Sequence, residues 1–363
     1  MNQKLKLVSM LVCALFFVTG CNSDKFTIDG YISGMADQDV YLYVDPHGGD
    51  QPLDTARMEN GHFRFTGKIK GSDYRFITFQ DIAGEIRLYI DNSRMKITGD
   101  FARLDSVKVT GSPAMDYYNS FLEEERKNNL YLNDKIAAFT SAQQAGDTTA
   151  MMAIQEEVIG YREAYARKVL EKVNTRPDDL LSLVVMSKWF GFLNPDQVAD
   201  FYRKVPDALK TDPRMGTFDD FMKQTILKVA KGSPAPDFKL PLLGSAADTL
   251  TMDSLRGKVS VLYVTTSEQI PDNDRMYSQL RKAREKGAQA VLVFMFLDQN
   301  PPAGIEDYLK EHELTGIPAV LGDVIFTRTF VTPSPRMLFI DAEGKYLGTA
   351  LKPEDAEELV ERL

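Results

Sequence analysis

The spacing of apolar residues divides this chain into three stretches, and the first has the pattern of β-strands. Between residues 22 and 110, apolar and polar positions alternate, as at Val40, Leu42 and Val44. Glycines and asparagines interrupt the alternation, and Asn60-Gly61 predicts a hairpin turn because both residues tolerate a positive φ. We therefore expect an all-β sandwich or small barrel of short antiparallel strands.

The second stretch, from Ser112 to about residue 231, has helical spacing. Ser112 is placed to cap a helix whose first residue is Pro113. Glycine and proline breaks divide the stretch into several predicted helices, and we expect the only tryptophan, Trp189, in their core. Apolar and aromatic residues at steps of three and four predict one face of a long helix, formed by Ile154, Val158, Tyr161, Tyr165, Val169 and Val173.

From Gly232 onward, strand and helix patterns alternate. Helical spacing predicts helices at 272–286, 305–313 and 353–363. Runs of apolar and β-branched residues predict strands at 259–264, 290–297, 336–340 and 345–351. This order predicts an α/β sheet with mixed strand directions. The fold class is therefore multidomain, with an all-β region, a central α-helical region and a C-terminal α/β region.

The N-terminal segment has the pattern of an export signal. Lys4 and Lys6 precede an apolar run at 7–18, which is shorter than the roughly 20 apolar residues that span a bilayer. The run ends in Gly20-Cys21 and resembles a bacterial lipobox. This resemblance implies cleavage before Cys21 and acylation of Cys21. We expect a lipid-anchored protein of the bacterial cell envelope, on the outer membrane and facing the periplasm.

Composition and charge exclude several classes of function. The net charge is −9, with no cluster of lysine and arginine, so we expect no nucleic-acid partner. The three histidines, His47, His62 and His312, lie in separate segments and form no pair with metal-ligand spacing. No glycine-rich phosphate loop is present. We therefore expect neither a metal nor a cofactor.

The C-terminal region contains three short motifs, one after another along the chain. They are Gly-Ser-Pro-Ala-Pro-Asp-Phe at 232–238, Ser-Leu-Arg-Gly-Lys at 254–258, and Ser334-Pro335 before the strand that starts at Arg336. In this order the segment resembles the thioredoxin-like family of periplasmic thiol-disulfide proteins and their peroxiredoxin relatives. The resemblance implies a thioredoxin-like fold over 231–363 and a cis-proline at Pro335.

The same resemblance places the family's redox pair at Gln269 and Asp272, with Ile270 and Pro271 between them. The chain has two cysteines, Cys13 and Cys21, so both sulfurs of the pair are missing. Disulfide exchange requires a thiolate, which glutamine and aspartate cannot supply. We expect no catalytic residue and no enzyme, but a binding or assembly module whose groove receives an envelope protein or an extended peptide beside Pro335.

Two alternatives stay open. The first is a thiol-disulfide oxidoreductase or a peroxiredoxin-like enzyme, as in the family relatives, with sulfur supplied by a partner. The second is a ligand-binding role for the β region, in which Tyr41, Tyr43 and Phe79 would be exposed.

The β region carries a resemblance of its own. Leu53-Asp54-Thr55, the segment 60–67 and the segment 88–92 resemble a β domain of unknown function that precedes thioredoxin-like domains in envelope lipoproteins of some Gram-negative bacteria. Together, the two resemblances predict a signal peptide at 1–20, a β domain at 21–111, a helical region at 112–230 and a thioredoxin-like domain at 231–363.

Overall fold

The computed structural model describes residues 24–49, 51–80, 82–244, 248–265, 273–295, 304–322 and 336–363. The chain divides into two compact units, which are described separately below. The first extends to Ile154 and includes Asp179–Leu181, and the second comprises Gln155–Asp178 and Ser182–Leu363. Within the described ranges, no helix is both long enough and apolar enough to cross a bilayer. The four-part division drawn from the sequence stays a prediction.

The first unit contains the predicted strands. Within its described residues they are β1 Phe26–Ser33, β2 Asp39–Tyr43, β3 Asp54–Arg57, β4 His62–Gly67, β5 Asp73–Phe79, β6 Ile82–Ile90, β7 Arg94–Asp100 and β8 Lys108–Thr110. A 3-10 helix at Phe101–Ser106 lies between the last two. Alternate side chains are buried, including Val40 and Leu42, whereas Val44 lies beyond the end of β2 and is exposed.

These strands form two four-stranded sheets, with the orders β4-β1-β7-β8 and β3-β2-β5-β6. The prediction of purely antiparallel pairing is wrong at one place, because β1 pairs with β7 in parallel. Parallel neighbours require a long connection, and the five strands between β1 and β7 provide it. Gly30 of β1 lies under Phe63 of β4, whose ring carbon is 2.1 Å from where a Cβ would sit, so the absent side chain admits the ring.

The turn at Asn60-Gly61 forms as predicted but joins different sheets. Both residues have a positive φ, 51° and 78°. Glu59 and His62 exchange two backbone hydrogen bonds of 2.9 and 3.0 Å across the turn. Beyond this pair the strands separate, because β3 pairs with β2 while β4 pairs with β1. The prediction of the turn is therefore confirmed. The two strands that it joins, β3 and β4, do not continue as a hydrogen-bonded hairpin.

The helical stretch begins at the predicted residue. The Ser112 hydroxyl accepts a hydrogen bond from the Met115 backbone at 3.1 Å and donates to Asp91 at 3.0 Å. Gly146, with a φ of 69°, ends the first helix. The longer helices are α1 Pro113–Ala145, α2 Thr148–Val173, α3 Leu180–Trp189 and α4 Pro195–Lys204. Shorter segments follow at α5 Asp207–Lys210, 3-10 Pro213–Met215, α6 Gly216–Phe221, π-helical Met222–Ile226 and α7 Leu227–Val229.

The predicted apolar face of α2 becomes more buried toward its C-terminal end. Val169 and Val173 are fully buried, whereas Ile154 and Val158 are half-buried. In the second unit, Trp189 is also half-buried, and its ring lies 4.6 Å from that of Tyr165. The tryptophan therefore packs at the margin of a core rather than at its centre.

The rest of the second unit alternates strands and helices as predicted. Its strands are β9 Lys239–Pro241, β10 Thr249–Thr251, β11 Ser260–Thr265, β12 Gln289–Met295, β13 Ala319–Gly322, β14 Arg336–Ile340 and β15 Tyr346–Ala350. Its helices are α8 Met252–Leu255, α9 Asn273–Glu285, α10 Ile305–Glu311 and α11 Pro353–Glu361. The pattern did not reveal β9, β10 and β13, since three or four residues are too few to show a period.

Five of these strands form one sheet in the order β13-β12-β11-β14-β15. The first three are mutually parallel and the last two antiparallel to their neighbours, so the strand directions are mixed, as predicted. On β11, Val261 and Tyr263 face one core, with α9 and α11, while Leu262 and Val264 face another, with Val229 of α7. The motif at 232–238 begins alongside the start of β15, where the Gly232 backbone N–H donates to the Tyr346 carbonyl at 2.7 Å.

Candidate functional site

The predicted redox-pair, cis-proline and lipidation residues all lie outside the described part of the chain. Gln269, Ile270, Pro271 and Asp272 belong to 266–272, and Pro335 belongs to 323–335. Cys21, the predicted lipidation site, also lies outside the described residues. Their assignments stay predictions, and the candidate site is built here from the residues that flank them.

These flanking residues meet at one edge of the C-terminal sheet. β11 ends at Thr265 and β14 begins at Arg336, while α9 begins at Asn273. The antiparallel register pairs Val264 with Arg336. The last residue before 266–272 and the first residue after 323–335 therefore belong to neighbouring strands at the same edge.

A buried hydrogen-bond group fixes the separation between β11 and α9. The side-chain oxygen of Asn273 accepts from the Tyr263 hydroxyl at 2.5 Å and from the Thr265 hydroxyl at 3.2 Å. All three residues are buried. Tyr263 and Thr265 are two positions apart on a strand, so both reach the face that α9 covers. The sequence pattern did not predict this group, although a polar side chain at the start of a predicted helix was a signal for it.

An aromatic chain continues from this group toward α10. The Tyr263 ring packs edge-on against Tyr277, whose hydroxyl lies 2.7 Å from that of Tyr308. Burial raises the pKa of both the Tyr277 and the Tyr308 hydroxyl above the usual range. Both hydroxyls therefore stay protonated near neutral pH, which suits them to hydrogen bonding rather than to acid–base chemistry.

The histidines do not converge on a common site. His312 contacts Asp274 at 3.1 Å, and its ring lies 4.5 Å from that of Tyr308. In the first unit, His47 contacts Glu85 at 3.1 Å and His62 packs against Tyr31. Across the described ranges, no group of three or more His, Cys, Asp or Glu residues has the arrangement of a metal site.

The alternative ligand face of the β region does not form as predicted. Phe79 is buried, with 4% of its surface exposed, because its side chain belongs to the inward set of β5. Tyr41 and Tyr43 are half-buried, and their ring centroids lie 6.4 Å apart. The prediction that all three aromatic side chains are exposed is therefore wrong.

A comparison with protein families supports the resemblance stated for the β region. A family model described as a domain of unknown function, DUF4369, matches residues 26–118. This segment is similar to that family, whose description carries no activity. A search of curated proteins found no match.

The solved structures that are similar to this chain include thioredoxin-like thiol-disulfide oxidoreductases. This is the class of protein that the motifs of the C-terminal region resemble. The thioredoxin domain of a thiol-disulfide oxidoreductase from Bacteroides vulgatus is 16% identical, with a TM-score of 0.31, over 37% of this chain and 96% of that one. The exposed lipoprotein thioredoxin of Streptococcus pneumoniae is 19% identical, with a TM-score of 0.30, over 35% and 100%. Copper-bound ScoI from Bradyrhizobium japonicum is 16% identical, with a TM-score of 0.29, over 36% and 99%.

The Asn273 side chain offers a direct test of how the site edge is held. We expect Asn273→Ala to lower the free energy of unfolding by about 1–3 kcal/mol, because it removes the acceptor of two buried hydroxyls. Asn273→Asp retains an acceptor oxygen at the start of a helix and should lose less. Urea unfolding of both variants measures the difference. Equal midpoints for the wild type and the alanine variant would show that this group does not hold the edge.

Proposed function

We propose that this protein is a lipid-anchored component of the bacterial cell envelope whose thioredoxin-like domain is redox-inactive and serves as a binding or assembly module. One observation carries the proposal: no cysteine follows Cys21 in the sequence. Thiol-disulfide exchange and thiol peroxidase chemistry both need a thiolate at the reacting position. A domain without a cysteine thiol can retain the surface on which such chemistry takes place in relatives, but not the chemistry.

The topology of the second unit supports the thioredoxin-like assignment of the C-terminal domain. The parallel strands β11 and β12 are joined through α9, and the antiparallel strands β14 and β15 are followed by α11. From β11 onward the described elements have the order β-α-β-α-β-β-β-α, which is the expected β-α-β-α-β-β-α order with the short strand β13 added. The two four-stranded sheets of the first unit support a sandwich for the β domain.

The proposed binding surface is the sheet edge where Thr265 and Arg336 are neighbours. Because β11 and β14 are each paired on both sides, an extended partner segment would form its main-chain hydrogen bonds with the backbone of 266–272 and 323–335, beside Pro335 and the pair Gln269 and Asp272. The partner is an envelope protein or peptide and not nucleic acid, since the net charge is −9. The function requires no cofactor.

The absence of thiol chemistry predicts the outcome of a restoration experiment. The wild-type chain, isolated from membranes, should neither accelerate insulin reduction by dithiothreitol nor consume peroxide. Replacing both Gln269→Cys and Asp272→Cys should produce measurable insulin reduction, because it returns the two sulfurs to the positions that the resemblance assigns. The single variant Gln269→Cys is the matched control and should stay inactive. Turnover by the wild type would favour the oxidoreductase alternative, and a folded but inactive double variant would contradict the assigned positions.

The proposed lipid anchor predicts the membrane with which the protein is recovered and the mass of the mature chain. Wild-type protein should be recovered with outer membranes, with the mass of a chain that begins at an acylated Cys21. We expect Cys21→Ala to abolish the acyl mass and to leave the protein unprocessed at residues 1–20. Because stable attachment needs several acyl chains, the mass of the wild-type protein should include more than one of them and the mass of the variant none. An unmodified Cys21 in wild-type protein would contradict the anchor.

The binding role predicts a proline-dependent partner. Crosslinking in cells should recover the same envelope protein or peptide repeatedly with the wild type. Pro335→Ala should reduce this recovery several-fold, because it changes the backbone at the proposed edge. Pro113→Ala, at the first residue of α1, is the matched control and should retain the partner. Equal recovery by both variants would count against this edge as the binding surface.

A further inference from the structure

One sheet of the first unit carries positive charge on its outward face. In the sheet β4-β1-β7-β8, the inward face is apolar, and Ile28 of β1 pairs there with Phe65 of β4. Successive side chains of a strand point to opposite faces, so the neighbours of the buried residues are turned to solvent. Among them are Arg64 of β4 and, on β7, Arg94 and Lys96, all of which are exposed.

Three further lysines lie at the end of this sheet where β1 begins. Phe26, the first residue of β1, pairs with Gly67, the last residue of β4. Lys25 directly precedes Phe26, and Lys68 and Lys70 come just after Gly67. All three lysines are exposed. They therefore lie where the chain enters the sheet.

Two hydrogen bonds hold the lysine segment after β4 beside the start of β7. The Asn92 side chain accepts from the Ile69 backbone at 3.0 Å and donates to the Ile69 carbonyl at 2.7 Å. Ile69 lies between the two lysines, and Asn92 lies two residues before the arginine that begins β7. Cations from three separate segments thus meet at one end of the sheet. We call this group the basic end, and it comprises Lys25, Lys68, Lys70, Arg94 and Lys96.

The basic end keeps most of its positive charge. Its members from Lys68 onward form no ion pair with any residue in the described ranges. Of the nearby acids, Asp29 contacts Arg64 and Asp91 accepts hydrogen bonds at the cap of α1. Asp24 directly precedes the first lysine. The cations outnumber these acids, so the region is positive although the net charge of the chain is −9.

The distance along the chain to the proposed anchor indicates what the basic end faces. Cys21 lies five residues before Phe26, and an extended chain of this length spans at most about 18 Å. Acylation of Cys21, which is part of the proposed function, therefore keeps the start of β1 close to the lipid headgroups. Attraction between charges falls off within about 8 Å at physiological salt, so it acts on a surface that is held this near.

We propose that the basic end lies on the anionic headgroups of the membrane that holds the anchor. Its ammonium and guanidinium groups attract the lipid phosphates, and each cation near such a surface strengthens association about fivefold. Acyl chains alone hold the protein without fixing its orientation, and this second contact turns one face of the β unit toward the lipid. The inference rests on the proposed lipid anchor and adds the surface that meets the membrane.

Fluorescence quenching on vesicles tests which face meets the lipid. A unique label is possible because no cysteine follows Cys21, whose thiol the acyl chain occupies. Thr66→Cys places the label on β4 at the basic end, whereas the matched control Thr55→Cys places it on β3 in the other sheet. Both threonines are exposed. The acylated protein is bound to vesicles of phosphatidylcholine, or of equal parts phosphatidylcholine and the anionic phosphatidylglycerol, with a quencher attached to the headgroup.

The two labels should respond differently to the charge of the vesicle. We expect stronger quenching of the Thr66→Cys label on the anionic vesicles than on the neutral ones, and high salt should remove the difference. The Thr55→Cys label should be quenched weakly and equally on both. Equal quenching of the Thr66→Cys label on the two kinds of vesicle would overturn the proposal and would indicate an acidic protein as the partner of this surface.

Removing two of the charges tests the assigned residues. In the chain labelled through Thr66→Cys, the changes Lys68→Gln and Lys70→Gln together should reduce the quenching that depends on anionic lipid by roughly half or more. Lys282→Gln with Lys310→Gln is the matched control, because both lysines are exposed and the change in net charge is the same. The control should be quenched like its parent. An unchanged signal in the first pair would overturn the proposal.

Flotation separates this proposal from the anchor on which it rests. Acylated protein should float with the neutral vesicles, and failure to do so would refute the anchor. In that case the basic end should still make the chain float with the anionic vesicles, and Lys68→Gln with Lys70→Gln should weaken this flotation. No flotation with the anionic vesicles would then refute the basic end as well. Protein that floats with the neutral vesicles but shows no quenching dependent on anionic lipid would refute the basic end alone.

Discussion

The second unit depends on the burial of β11 on both of its faces. Its backbone pairs with β12 in parallel and with β14 in antiparallel fashion, so it has no free edge. Its side chains alternate between two apolar cores, with Tyr263 on one side and Leu262 on the other. A shift of one residue in register would exchange these faces, which is why the strand is held so specifically.

This constraint determines what happens at the end of the strand. Tyr263 and Thr265 carry polar groups into an apolar core, and Asn273 at the start of α9 satisfies them. The hydroxyls of Tyr277 and Tyr308 form a separate hydrogen bond, and the Tyr277 ring packs against that of Tyr263. The described residues at this end of the sheet thus form a buried, hydrogen-bonded support between β11 and α9.

The sequence by itself determined the order and type of the longer elements, because their periods depend only on local spacing. It also determined the cap at Ser112, the turn at Asn60-Gly61 and the absence of a cysteine after Cys21. Only the tertiary structure decided that β1 and β7 run parallel and that Phe79 is buried. It alone placed Val264 opposite Arg336, since residues so far apart in sequence meet through packing and leave no local pattern.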